Sequence, residues 1–220
     1  MKKVLSMVLL TVMCIGLCVG TAHADWLSPF IGYWEVQNVA LGGRTYGANY
    51  VGINMTAAVH RDGIMILTLD NDMIASYING YGNNYYLYDG EDTIPVYVDS
   101  QGRLHLEISS DDATLDVRMR QASPTRVSGT ASSYVGDWKL TSEDEASYGE
   151  ITMSLYNDGF GVIVTEGGLM AVRLGMQAGK FCLIDNEGLI MTVKNNNGVI
   201  SFTILFSDGT QETLHMQRAN

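Results

Sequence analysis

Few residues in this chain have the types and spacing that chemistry needs. His60-Arg61-Asp62 contains the histidine, arginine and aspartate of a phosphoryl-transfer loop, but that chemistry requires Asn at position 67, which is Leu. The triplet also runs directly into Gly63, which makes it the approach to a hairpin turn. The acidic groups Asp89-Gly90-Glu91-Asp92, Asp111-Asp112 and Glu143-Asp144-Glu145 have the oxygen ligands Ca²⁺ takes, yet none has the spacing of a calcium loop, so they read as solvated turn carboxylates. His60, His105 and His215 each fall on the polar phase of an alternating segment, which predicts solvent exposure and no metal site. No Gly-x-Ser-x-Gly, His-Glu-x-x-His, Cys-x-x-Cys or phosphate-binding glycine loop occurs. With no nucleophile, base and metal to assemble, the chain reads as non-catalytic, without cofactor.

Two features suit binding. Tyr77 to Tyr88 contains five tyrosines (Tyr77, Tyr81, Tyr85, Tyr86 and Tyr88) interleaved with Gly and Asn. Such a segment supplies rigid amphipathic rings beside adaptable hydrogen-bonding groups, although strand tyrosines around a Gly/Asn turn give the same letters. The second feature is the small size of Gly52, Ala57 and Ala58 in one alternating strand, where a later copy of the strand has Met153 and Leu155. An eight-stranded barrel is either filled by its side chains or just wide enough for one small ligand, so Ala57 marks a candidate cavity. Met55, Met65 and Leu67 are the residues that would fill it instead.

These features sit in a chain written twice. Phe30-Ile31-Gly32-Tyr33-Trp34 returns as Tyr134-Val135-Gly136-Asp137-Trp138, and Asp62-Gly63 returns as Asp158-Gly159. The first pair is offset by 104 residues and the second by 96, so copy one carries eight extra residues between its Trp and its turn. Both copies alternate with period two: Met55, Ala57 and Val59 match Ile151, Met153 and Leu155, and Leu104, Leu106 and Ile108 match Ile200, Phe202 and Ile204. Agreement in phase is strong evidence of a shared fold, because a slip of one residue turns the core face to water.

Turn pairs such as Asp89-Gly90, Gln101-Gly102, Glu187-Gly188 and Asn197-Gly198 punctuate the runs. They divide copy one into strands near 34–40, 51–60, 64–70, 73–79, 84–88, 94–99, 103–109 and 114–120. Copy two divides near 138–141, 149–156, 160–165, 169–175, 180–184, 189–194, 199–206 and 210–217. Hairpins without crossovers imply an all-β protein of two tandem antiparallel up-and-down barrels, since closure removes exposed edges. The boundaries are barrel one at 25–121, a Ser/Thr/Gly-rich linker at 122–133, and barrel two at 134–220.

The N-terminus reads as a secretory signal over residues 1–24. Lys2 and Lys3 precede an apolar stretch from Val4 to Gly20, and Ala22-His23-Ala24 supplies a cleavage site. The expected product is periplasmic or extracellular, with no stable membrane span after cleavage. Losing two lysines and no acid takes the net charge from −11 to −13, a surface that repels nucleic acid and anionic lipid. Cys14 and Cys18 leave with the signal, and Cys182 in Phe181-Cys182-Leu183-Ile184 reads as a buried small hydrophobe.

A Gly-x-Trp opening the first strand, a meander of about eight strands and a basic residue closing the last together resemble lipocalin-like (calycin) barrels. Copy two resembles the secreted bacterial lipocalin-like repeats, with Val135-Gly136-Asp137-Trp138-Lys139-Leu140, Asn157-Asp158-Gly159 and a final strand ending at Arg218. The resemblance implies that each Trp plugs one end of its barrel under an arginine, which pairs Trp34 with Arg120 and Trp138 with Arg218. It also implies a binding role, with a small apolar or aromatic ligand in barrel one. The alternative is a cell-envelope interaction or inhibitor module built on two side-chain-filled barrels.

Overall fold

The computed structural model describes residues 25–70, 72–81, 84–88, 93–109, 113–205 and 209–219; the signal-like segment 1–24 lies outside them, as do Asp89 to Asp92 and Asp111-Asp112. The chain divides into two compact units, one ending at Pro124 and the other running from Thr125. Both are antiparallel meanders, and no described helix is long and apolar enough to cross a membrane.

In the first unit β1 (Gly32–Leu41) carries a short hairpin strand β2 (Arg44–Gly47) and then helix α1 (Ala48–Val51). The meander continues through β3 (Met55–Val59), β4 (Ile64–Leu69), β5 (Asp72–Tyr77), β6 (Asn79–Tyr81), β7 (Asn84–Tyr88), β8 (Thr93–Val98), β9 (Leu104–Ser109) and β10 (Thr114–Ala122). Hydrogen bonding runs β5-β4-β3-β1-β10-β9-β8-β7-β6, with β2 on β1. A bulge between Val36 and Asn38 shifts the phase of β1, which is why Trp34 and Val39 both face the core.

The second unit is a closed eight-stranded barrel: β11 (Gly136–Leu140), β12 (Thr152–Leu155), β13 (Phe160–Thr165), β14 (Gly168–Gln177), β15 (Lys180–Asp185), β16 (Ile190–Asn196), β17 (Val199–Leu205) and β18 (Gln211–Arg218). Helix α2 (Ser142–Tyr148) joins its first two strands. Two strand readings change here. The segments near 51–60 and 149–156 begin with the end of a helix or a loop, and strand pairing starts only at Met55 and Thr152. Val51 is therefore an exposed helix residue, Gly52 caps α1, and Ala58 lies on the face opposite Ala57.

The two copies close differently. In the second barrel β14 is one strand that pairs with β13 through Gly168 to Arg173 and with β15 through Val172 to Gln177. In the first unit that strand is split into β5, bonded to β4, and β6, bonded to β7. Ser76 spans the resulting gap. Its Oγ donates to the Tyr88 carbonyl at 2.9 Å and accepts from the Tyr88 N–H at 3.1 Å, so a side chain replaces a rung of the ladder. Val172 occupies the matching place in β14, where its backbone pairs with Asp185.

Ser76 is buried, so removing its hydroxyl leaves both Tyr88 backbone groups without this partner. Ser76→Ala is expected to cost about 1–3 kcal/mol. It should also raise the hydrogen-exchange rate of the Tyr88 amide selectively, which amide-resolved exchange measures.

Candidate functional site

The closed end of each barrel is built by one repeated device. Trp34 Nε1 donates to the Phe30 carbonyl and Trp138 Nε1 to the Tyr134 carbonyl, each at 2.8 Å and four residues back. This satisfies the one polar atom of a fully buried ring, whose burial contributes about 4–6 kcal/mol of transfer free energy. A short 3-10 turn precedes each strand, Asp25–Leu27 in one unit and Gly129–Tyr134 in the other. The Ser/Gly-rich segment read as a linker is thus structured in part. Ser132 and Ser133 donate back to the carbonyls of Gly129 and Thr130, and the Val127 N–H bonds the Asn157 carbonyl.

A second ring packs beside each plug, from β7 in one barrel and β15 in the other: Tyr85 on Phe30 and Phe181 on Tyr134, at 5.1 and 5.0 Å. Trp26 stacks on Tyr85 at 5.0 Å and meets Phe30 edge to face at 6.5 Å.

Over Trp138 lies the Arg218 guanidinium, 3.9 Å from the ring, donating to the carbonyls of Val135 at 2.6 Å and Ser133 at 3.1 Å. The first barrel differs. Its register sets Gln121 opposite Trp34 and Arg120 opposite Glu35, so the adjacent residue, with its side chain on the other face, takes no part in the plug. Glycine at 32 and 136 is what permits the covering residue to approach. A Cβ on Gly32 would stand 2.8 Å from Gln121 Nε2, and one on Gly136 would stand 2.0 Å from an Arg218 nitrogen, at φ values of +146° and +128°.

The opposite end separates the two barrels. Residues directly across an antiparallel ladder share a face, so a row can be followed from strand to strand. In the second barrel the row Trp138–Met153–Ile163–Met170 is buried through Ile163, and Met170 is half-buried. Helix α2 lies over the β11–β12 connection there. Tyr148, packed on the core, donates to Glu212, and Asp144 accepts from the His215 N–H at 2.6 Å.

In the first barrel the same row reads Trp34–Ala57–Leu67–Ile74. Its exposure climbs from 2% at Trp34 and 0% at Ala57 to 49% at Ile74. Leu69, on the row Met55–Leu69–Asp72, is 43% exposed, and Leu41, on the row Leu41–Leu115–Ile108, is 44% exposed. Apolar side chains on the inner face thus remain open to water at this mouth. The extra residues of copy one form β2 and α1 here, where copy two has α2.

The residues singled out in the sequence are dispersed. Ala57 is on the inner face but belongs to the packed floor with Trp34, Met55 and Met65. Tyr85 belongs to the closed-end stack, while Tyr77, Tyr86 and Tyr88 lie on the outer phase, Tyr77 being exposed. Tyr81 stands opposite Asn84 on β6. The tyrosines are therefore not gathered into one pocket. In the sequence Leu41, Leu69 and Ile74 are isolated apolar letters in strands, which read as core.

One polar cluster on the outer face of barrel one is also more ordered than expected. His105 is buried, not exposed: Tyr97 on the neighbouring strand stacks over it at 4.5 Å. Its Nδ1 meets Asp116 at 2.8 Å and its Nε2 meets Asp99 at 3.1 Å, while Arg118 and Arg103 pair with the same two carboxylates. Among the described residues both ring nitrogens of this histidine are engaged by carboxylates. The groups of the cluster satisfy one another and hold the Asp99 turn against β9. Among the described residues no three His, Cys, Asp or Glu side chains are placed to hold a metal ion. Cys182 is buried, which pushes its thiol pKa up. No family model, no curated protein and no solved structure matches this chain.

Replacing Arg218 with Ala is expected to cost about 1–2 kcal/mol by loss of the ring contact and two carbonyl bonds. Arg120→Ala should stay within about 0.5 kcal/mol. Urea unfolding followed by tryptophan fluorescence compares them, and equal losses would contradict the register.

Asp99 provides a second check. The Arg103 N–H, then the Arg103 guanidinium, His105 and the Gln101 N–H, hold its carboxyl well below the usual carboxylate range. A lowered folded-state pKa stabilises the fold above the ordinary value near ~3.9, and that contribution is lost as pH falls below it. The stability difference between the native chain and Asp99→Asn should accordingly be full at pH 6 and shrink through acid titration, as measured by denaturant midpoints at each pH.

Proposed function

We propose that this is an exported, non-catalytic binding protein that takes a small apolar or aromatic molecule at the mouth of barrel one. The observation that carries the reading is the water-exposed inner face formed by Leu41, Leu69 and Ile74, above a floor of packed core. Covering a few hundred Å² of apolar surface at about 25 cal/mol per Å² supplies enough free energy for a small hydrophobe. The expected location outside the cytoplasm rests on the leader from Lys2 to Ala24. Resemblance to lipocalin-like barrels supports the same reading, with the ligand set shifted from Ala57 and the tyrosines to the mouth. Copy two, with its row buried through Ile163 and α2 tied to β18 by Tyr148 and Asp144, serves as scaffold.

The alternative, an envelope-protein interaction module, draws its support from Tyr77 and Tyr97, exposed on outer strand faces. The two readings part on the inner-face leucines and isoleucine, which an outer-face partner does not touch.

Isothermal titration of the purified chain with dodecanol and with 1-naphthol tests the proposal. Binding of at least one is expected at one site per chain, weakened about tenfold or more by Leu69→Glu or Ile74→Glu. These positions are exposed, so the variants should fold. No heat from either compound overturns the reading, as does binding that both variants leave unchanged.

A further inference from the structure

Arg44 stands on the inner-face row of the mouth. It pairs directly with Leu41, and the row continues Leu41–Leu115–Ile108, so the guanidinium emerges beside exposed apolar side chains. Tyr46, two residues on, pairs with Val39 on the same face, packs against the core and stacks with Tyr50 at 6.1 Å. No described carboxylate lies within ion-pair distance of Arg44, whereas Arg103 and Arg118 of barrel one's outer cluster are both paired. The surrounding segment is unusual in charge. Residues 41–54 contain no Asp or Glu in a chain that has 24, and Arg44 is their one charged residue. This segment is the one that copy one has lengthened and that stands in the chain where copy two has α2.

From this placement we infer that the mouth of barrel one selects an anionic amphiphile, with its apolar tail against Leu41, Leu69 and Ile74 and its carboxylate, sulfate or phosphate head on Arg44. The inference rests on the proposed mouth site and adds the class of ligand.

The chemistry favours an anion for three reasons. A guanidinium offers a planar fork of donors that matches carboxylate and phosphate oxygens in pairs. An unpaired arginine at the edge of an apolar surface keeps its charge hydrated until a ligand head arrives, so binding does not first have to break an internal ion pair. The net charge of −11 disfavours an anion over the general surface, and the acid-free segment 41–54 sets no further carboxylate next to Arg44 along the chain. Among the described residues Asp72, opposite Leu69 on β5, is the acid on the inner-face rows named here, and in the sequence the β4–β5, β7–β8 and β9–β10 connections add Asp70, Asp89, Glu91, Asp92, Asp111 and Asp112, which makes a cationic head the competing outcome.

The experiment compares three probes of one chain length, dodecanoate, dodecanol and dodecylammonium, by isothermal titration below their aggregation concentrations at neutral pH. Near-ultraviolet circular dichroism confirms that the chain stays folded. Dodecanoate is expected to bind about tenfold more tightly than dodecanol. Arg44→Gln should bring the ratio close to one without changing dodecanol affinity, and Ile74→Glu should weaken both. Equal binding of dodecanoate and dodecanol, tighter binding of dodecylammonium, or a preference that survives Arg44→Gln overturns this inference while leaving the mouth site standing. Binding of none of the probes overturns this inference, and the mouth reading with it if 1-naphthol also gives no heat.

Discussion

Each barrel depends on a single buried tryptophan whose only polar atom is spoken for within four residues. Trp34 and Trp138 bond to the carbonyls of Phe30 and Tyr134, and this contact fixes how the chain enters the first strand. A buried indole with an unsatisfied N–H would lose much of what its burial contributes. Glycine two residues before each Trp then leaves space for the last strand to lay a side chain over the ring. First and last strands are thereby joined at the closed end, and the meander between them has a defined place to begin and finish.

With one end determined in this way, the larger divergence between the copies lies at the other end and on the outer faces. The row beside Trp138 carries Met153, Ile163 and Met170; the row beside Trp34 carries Ala57, Leu67 and Ile74. Over the second barrel, α2 is anchored to β18 by Tyr148 and Asp144. Over the first, β2 and α1 extend the wall beyond β1 and bring Arg44 and Tyr46 to the inner phase. The outer cluster of Tyr97, His105, Asp99, Asp116, Arg103 and Arg118 also belongs to copy one, where it stiffens β8 to β10. Closure by the Ser76 hydroxyl is the remaining local departure.

Much of the fold was legible in the letters. Period-two alternation located most strands, and Asp62-Gly63 and Asp158-Gly159 located matching hairpins, because strand phase and turn conformation are local properties. The candidate site was much less so. The tyrosines of Tyr77 to Tyr88 are close in sequence, but successive strand residues point to opposite faces, so Tyr85 enters the plug while Tyr86 and Tyr88 face outward. Burial of His105 depends on Tyr97 across the sheet, and the polar phase of its own strand says nothing of that neighbour.

By itself the sequence determined an all-β chain of two related units, each opening on Gly-x-Trp, acidic throughout and without an assembled catalytic motif. Tertiary structure alone decided that Gln121 and not Arg120 stands opposite Trp34, because register is settled by pairing between strands far apart in the sequence. It also decided that Leu41, Leu69 and Ile74 meet water on an inner face. Inward direction follows from alternation along one strand, but exposure depends on how far along a tilted cross-strand row the residue stands and on what lies over the end of the barrel.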